Sequence, residues 1–107
     1  MTVKDLTEFK DFELLSNISD TPITKVFCCD LLSIAMGKAP AHSAWVTVMA
    51  NVNTLAVASL ADVSCVILAE GVTLDEELIE KAKGEGIVVF KTSLPVFDAA
   101  LLINESL

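Results

Sequence analysis

The chain has 107 residues, a length typical of one domain, and 53 % of them are apolar, with few aromatics among them. Fifteen acidic residues against seven basic ones give a net charge of −8, which repels phosphate backbones and anionic lipid surfaces and excludes nucleic acid and membranes as expected partners. No apolar run reaches the roughly 18 residues of a membrane span, and three cysteines, two of them adjacent, indicate a reducing, cytoplasmic environment.

The N-terminal third contains the least regular pattern. Thr2 followed by Asp5 predicts a short first helix. A brief edge strand is expected over residues 12–15, and a surface loop rich in turn-forming residues over residues 16–22. The N-terminal residues show none of the charged start and apolar core typical of a secretion signal.

From residue 23 onward, apolar runs alternate with segments of helical length. The predicted strands are Lys25–Cys29, Ser43–Met49, Val63–Ala69 and Ile87–Phe90. The predicted helices are Leu31–Gly37, Thr54–Ala61, Leu74–Lys83 and Leu94–Glu105. This alternation predicts right-handed βαβ crossovers and a mainly parallel sheet covered on both faces, in one α/β domain over residues 1–107.

Two of the predicted helices differ in character. Residues 74–83 are amphipathic, with a capping box formed by Thr73 and Glu76 and a left-handed cap at Gly84. Residues 54–61 are apolar nearly all round, which predicts a helix buried against the sheet or a second subunit.

A polar residue stands at each junction between a predicted strand and the next helix: Asp30, Asn53, Thr73 and Ser93. Each is a favourable helix N-cap, and capping alone is one interpretation of any one of them. Parallel strands bring these junctions to the carboxyl edge of the sheet, where open α/β folds bind ligands. Their convergence therefore predicts a ligand site.

Residues suited to catalysis are sparse. The glycines form none of the usual phosphate-binding loops, and the single histidine, His42, has no evident partner. Cys28 and Cys29 are adjacent on a strand and point to opposite faces, so they cannot hold one ion together. We therefore predict no catalytic residue, no metal and no cofactor, with Glu70 as the one carboxylate that an enzyme could use.

The order of the segments resembles the DRTGG domain from about residue 25 onward. The likeness is carried by Asp30-Leu-Leu-Ser33, Trp45-Val-Thr47, residues 53–58 and residues 87–93, although the literal Asp-Arg-Thr-Gly-Gly string is missing. The resemblance implies a three-layer α/β/α fold similar to the N-terminal domains of HPr kinase and MurF-type ligases. It also implies a regulatory or dimerising role, with catalysis located elsewhere.

Three hypotheses follow. The first is a non-catalytic regulatory domain that controls a partner enzyme and binds a nucleotide or another phosphate-bearing metabolite through Asp30, Ser33, Thr47, Asn53, Thr92 and Ser93. The alternative is an interaction or homodimerisation module without a small ligand, with residues 56–60 and Phe27 at the interface. The third is a small enzyme of acyl-phosphate or phosphoryl chemistry.

Overall fold

The computed structural model describes residues 1–107. An N-terminal 3₁₀ helix, Val3–Glu8, precedes five strands and four α-helices. The elements in chain order are β1 (Phe12–Leu14), β2 (Lys25–Cys28), α1 (Leu32–Lys38), β3 (Ser43–Thr47), α2 (Val52–Ala61), β4 (Cys65–Leu68), α3 (Glu76–Glu85), β5 (Val89–Thr92) and α4 (Val96–Asn104). Every predicted element is present, with its ends shifted by a few residues. None of the helices is long and apolar enough to cross a membrane.

The five strands form one sheet in the order β1-β5-β4-β3-β2. Strands β2 to β5 are parallel, whereas β1 lies antiparallel at the edge beside β5. Each crossover from β2 to β5 moves one strand in the same direction, so right-handed connections place α1, α2 and α3 on one face. The 3₁₀ helix and α4 cover the other face, which confirms the predicted three-layer α/β/α fold.

Two apolar cores lie on the two faces of the sheet. Helices α1–α3 pack on a core that includes Trp45, Leu55 and Leu68, whereas Phe90 and Ile103 belong to the core beneath α4. Both faces of the central strands are buried, which explains why these strands are continuous apolar runs in the sequence. The Trp45 indole lies in this interior and donates a hydrogen bond from Nε1 to the Cys29 carbonyl at 3.0 Å.

All four predicted N-caps are wrong, and the helices follow other residues. The actual N-caps are Leu31 for α1, Asn51 for α2, Asp75 for α3 and Pro95 for α4.

In α2 and α3 the cap lies two residues away from the predicted one. The Asn51 side chain accepts a hydrogen bond from the Thr54 amide at 3.0 Å, so α2 begins before Asn53. The Asp75 side chain accepts one from the Leu78 amide at 2.9 Å, so α3 begins after Thr73. Leu74, which precedes this cap, is buried with the α1–α3 core and favours the later start.

The other two caps fail for separate reasons. Asp30 directs its carboxylate to the end of β3 instead of to α1. Ser93 cannot cap α4 because Pro95 disfavours the helical conformation at Leu94.

Two expectations about helix surfaces and ends are also corrected. The left-handed residue that ends α3 is Gly86, with φ +71°, and Gly84 lies inside the helix. Helix α2 is not buried all round: it buries one side and exposes the other, where Leu60 is 75 % accessible.

Candidate functional site

The carboxyl ends of the four parallel strands lie along one edge of the sheet. Thr47 and Thr92 are the last residues of β3 and β5, and Asp30 and Ser93 follow the ends of β2 and β5. Because β2 and β5 are separated by three strand spacings, the ends of these two strands lie about 14 Å apart along this edge. Four of the six predicted residues therefore fall into two groups rather than one.

Asp30 and Thr47 form the first group. Asp30 Oδ1 accepts hydrogen bonds from Thr47 Oγ1 at 2.7 Å and from the Val48 amide at 2.9 Å. Thr47 Oγ1 in turn accepts one from the Met49 amide at 3.2 Å. Since Thr47 is fully buried, its hydroxyl positions Asp30 and the turn after β3 and is not presented to solvent.

Two thiols of the sheet are held in the protonated form: Cys28 at this edge, and Cys65 at the opposite end of the strands. Partial burial, followed by the negative charge of Asp30, raises the pKa of Cys28. Complete burial raises the pKa of Cys65 far above its ordinary value. Neither sulfur is therefore an activated nucleophile at neutral pH.

Ser33 and Asn53 lie in the first turns of α1 and α2. Both are exposed, and neither side chain makes a hydrogen bond within the protein. A cleft of about 640 Å³ opens nearby, between the beginnings of α2 and α3. It is lined by the true caps, Asn51 and Asp75, which we had not predicted as site residues. Their signal in the sequence is the residue type, because asparagine and aspartate are both preferred at the N-cap of a helix.

Thr92 and Ser93 form the second group, in a cleft of about 320 Å³ at the corner where β1 pairs with β5. We call it the corner cleft; it is lined by Lys10, Asp11, Phe12, Glu13, Gly71, Lys91, Thr92, Ser93 and Leu94. The corner cleft thus contains two of the six predicted residues.

The position of the corner cleft follows from the topology. Helix α3, which follows β4, lies on one face of the sheet, and α4, which follows β5, lies on the other. The chain therefore leaves β4 and β5 toward opposite faces of the sheet, and such a switch point is where open α/β sheets bind ligands. Hydrogen bonds of 2.9 Å from the Glu70 amide to the Leu94 carbonyl and from the Gly71 amide to the Thr92 carbonyl hold the two loops together.

The polar groups of the corner cleft make few hydrogen bonds within the protein. Thr92 Oγ1 accepts a hydrogen bond from the Leu94 amide at 3.2 Å, whereas the exposed Ser93 hydroxyl has no partner in the protein. Lys91 Nζ lies 3.9 Å from Glu13 Oε1, which is an ion pair without a hydrogen bond. Lys10 adds a second ammonium group.

The two lysines could not be assigned to the site from the sequence. Lys10 precedes β1, and β1 reaches β5 only through a pairing between the two ends of the chain, Phe12 with Thr92. Glu70 at the neighbouring turn has φ +62°, and its carboxylate makes no hydrogen bond or ion pair that would identify a catalytic pair.

Comparisons with known proteins bear on the fold of the chain. No protein-family model matches the chain, and no curated protein matches it significantly. Among solved structures, the chain is similar to the CBS and DRTGG domains of the regulatory region of Clostridium perfringens pyrophosphatase, complexed with the activator diadenosine tetraphosphate. The TM-score is 0.74 at 22 % identity, over 99 % of this chain and 50 % of that one.

This likeness shows the fold. The chain spans half the length of the structure that it matches, and that structure comes from the regulatory region of an enzyme and not from its catalytic domain.

Proposed function

We propose that residues 1–107 form a regulatory domain of the DRTGG type that binds a small phosphate-bearing ligand, such as a nucleotide, in the corner cleft and thereby controls a partner enzyme. The observation that carries this proposal is that Lys10, Lys91 and the unpartnered Ser93 hydroxyl line one cleft beside the switch point between β4 and β5. The domain itself carries out no reaction in this proposal.

The chemistry of the corner cleft favours an anion that accepts several hydrogen bonds. Lysine ammonium groups and a serine hydroxyl are donors that suit phosphate oxygens. The long contact between Lys91 and Glu13 can be exchanged for a shorter one with a phosphate. Asp11 and Glu13 offset the lysines, so the cleft is close to neutral within a chain of net charge −8.

The choice of a nucleotide rests on the structural likeness. The regulatory region with the similar fold was crystallised with diadenosine tetraphosphate, which is both a nucleotide and an activator. That compound is therefore the first ligand to test on this chain. Inorganic phosphate, ADP and acetyl phosphate would show which part of it is recognised.

Isothermal titration calorimetry tests the proposal with four proteins. We expect the unaltered chain to bind at least one of these phosphate compounds. Lys91→Met and Ser93→Ala should each weaken binding about tenfold, because each removes a donor to a charged group. Lys38→Met is the matched control: it removes the same charge from the last residue of α1, at the opposite edge of the sheet, and should leave affinity unchanged.

Glu13→Gln should change the affinity in the opposite direction. Removing this carboxylate frees Lys91 and lowers the repulsion of an anion, so we expect severalfold tighter binding. The proposal fails if none of the compounds binds, or if Lys38→Met weakens binding as much as Lys91→Met.

A further inference from the structure

Two buried threonines occupy equivalent places at the carboxyl edge of the sheet. Thr47 ends β3 and Thr92 ends β5, on either side of the central strand β4. Each hydroxyl accepts a hydrogen bond of 3.2 Å from the amide two residues later. Each carbonyl accepts one from a residue that follows β4: the Ala69 amide donates to Thr47 at 3.0 Å, and the Gly71 amide donates to Thr92 at 2.9 Å. The same local structure is therefore built twice, once on each side of β4.

The two strand ends differ in what accepts their remaining donors. The amide after each threonine faces away from β4, because successive residues of a strand direct their amides to opposite edges. At β3 the Val48 amide and the Thr47 hydroxyl both donate to Asp30 Oδ1, at 2.9 and 2.7 Å. At β5 neither the Ser93 amide nor the Thr92 hydroxyl donates to any acceptor in the protein. We call these two groups of β5 the donor pair.

The donor pair lies where the ladder between β1 and β5 stops. The Leu15 amide donates to the Val89 carbonyl at 2.8 Å, and every second residue of an antiparallel strand faces the same neighbour. The Ser93 amide therefore faces the side of β1. The ladder ends one residue earlier, at the pair Phe12 and Thr92. The corner cleft opens at this point, and both residues of the donor pair line it.

Resting on the function proposed above, we infer that the donor pair binds one anionic oxygen of the ligand, as Thr47 and Val48 bind the carboxylate oxygen of Asp30. Asp30 shows what this local structure accepts: a charged oxygen that takes two hydrogen bonds of less than 3 Å. Thr92 is only 3 % exposed, so its unused hydroxyl hydrogen carries a free-energy cost that a charged acceptor removes. The group recognised is a phosphate or carboxylate oxygen.

The donor pair and the lysines of the corner cleft have different roles in this arrangement. Lys10 and Lys91 carry charge on long, flexible side chains, whereas the donor pair is held by the backbone and by a buried side chain. The lysines attract the anion, and the donor pair determines where its oxygen lies. Asp11 and Glu13 line the same cleft, but no hydrogen bond joins either carboxylate to the donor pair.

Two-dimensional ¹H–¹⁵N NMR of the unaltered chain tests the inference at one atom. Inorganic phosphate, diadenosine tetraphosphate and acetate are titrated separately, and acetate presents a carboxylate without phosphate. We expect the Ser93 amide proton to move downfield and to exchange more slowly with water, because it gains a charged acceptor. The Val48 amide is the internal control: it already donates to Asp30 and should not move.

Calorimetry on three variants tests the Thr92 hydroxyl. Thr92→Val should weaken binding of the phosphate compound about tenfold, because it removes one donor and keeps the shape of the side chain. Thr92→Ser keeps the hydroxyl and should bind within about twofold of the unaltered chain. Thr47→Val is the matched control: it breaks the bond to Asp30, so it should lower the melting temperature more than Thr92→Val and leave affinity unchanged.

The outcomes separate this inference from the proposed function. If a phosphate compound binds and the Ser93 amide does not move, or if Thr92→Val binds as tightly as the unaltered chain, the inference is overturned and the proposed function stands. If acetate alone moves the Ser93 amide, the donor pair binds a carboxylate and the proposed function is wrong. A shift with the phosphate compounds alone assigns the oxygen to phosphate, and no shift or binding with any of the three overturns both.

Discussion

Helices α2 and α3 are neighbours on one face of the sheet and have the same length, ten residues each. Both follow a parallel strand, both begin at a residue whose side chain caps the helix, and both end at a left-handed residue. Their outer sides differ: α3 carries six charged residues, whereas α2 carries none. The crossover therefore constrains the inner side of each helix and leaves the outer side free to differ.

The inner sides differ as well, in depth of burial. Helix α2 buries Leu55, Val57 and Ala58 almost completely, but in α3 only Ala82 is buried, with Leu78 at an intermediate position. Helix α2 thus contributes more of the core, although its outer side looks the less suited to water. An apolar surface on a helix that is already well packed suggests a role outside the fold.

The largest expected effect tests this division of α2 into two sides. Leu55→Ala should lower the free energy of unfolding by about 3 kcal/mol, because it leaves a cavity in the core. Leu78→Ala in α3 should cost less, and Leu60→Ala less than about 0.5 kcal/mol. Urea denaturation at a concentration that keeps the chain monomeric measures all three. Equal losses for Leu55→Ala and Leu60→Ala would mean that the outer side of α2 packs within the monomer.

Removing a helix cap should lower stability by a smaller amount, which should be the same for α2 and α3. Asn51→Ala and Asp75→Ala should each cost about 1 kcal/mol of stability, since each leaves a helix amide without its acceptor. Asn53→Ala and Thr73→Ala are the matched controls, because sequence patterns favour these residues and the structure does not use them as caps. A larger loss from either control would restore the predicted helix start.

Glycine substitutions near the end of α3 should change stability in opposite directions. Gly86→Ala should destabilise the protein by about 1 kcal/mol, because the left-handed conformation disfavours a side chain. Gly84→Ala, inside α3 and with open space around the added carbon, should stabilise it by about 0.5 kcal/mol. In α2 the equivalent left-handed residue is Asp62, so Asp62→Gly should stabilise the chain. Thermal unfolding of all three variants decides the matter; a stabilising Gly86→Ala would contradict the assignment.

The elements could be predicted from the sequence because their signals are local. Buried parallel strands such as Ser43–Thr47 are continuous apolar runs, and their alternation with helices determines the layers. Helix starts were harder, since Asn51 and Asn53, like Thr73 and Asp75, are good caps two residues apart. Burial of Leu74 favours the later start in α3, and burial is a property of the folded chain.

In the candidate site, too, some residues can be located from local sequence patterns and others cannot. Thr92 and Ser93 can be placed at the carboxyl edge from the sequence because they stand at the end of a parallel strand. Lys10 and Lys91 cannot be placed in the corner cleft from the sequence, because the pairing of β1 with β5 joins distant parts of the chain. The sequence also does not show that Asp30 bonds to Thr47 instead of capping α1.

The ion pairs on the outer side of α3 should have the smallest effect. Lys81 Nζ lies 2.8 Å from Glu85 Oε2, and this hydrogen bond raises the pKa of Lys81, yet both side chains are open to solvent. Lys81→Met should therefore lower the melting temperature by only about 1 °C or less. The difference should vanish in about 1 M NaCl, where charges are screened within about 3 Å. For Ser59→Ala on α2, which removes no charge, the change in melting temperature should not depend on salt.

If Lys81→Met lowered stability as much as the loss of a cap, charge on an outer helix surface would be a requirement of the fold. We expect the opposite, because the fold of α2 forms without any charged residue on its outer side.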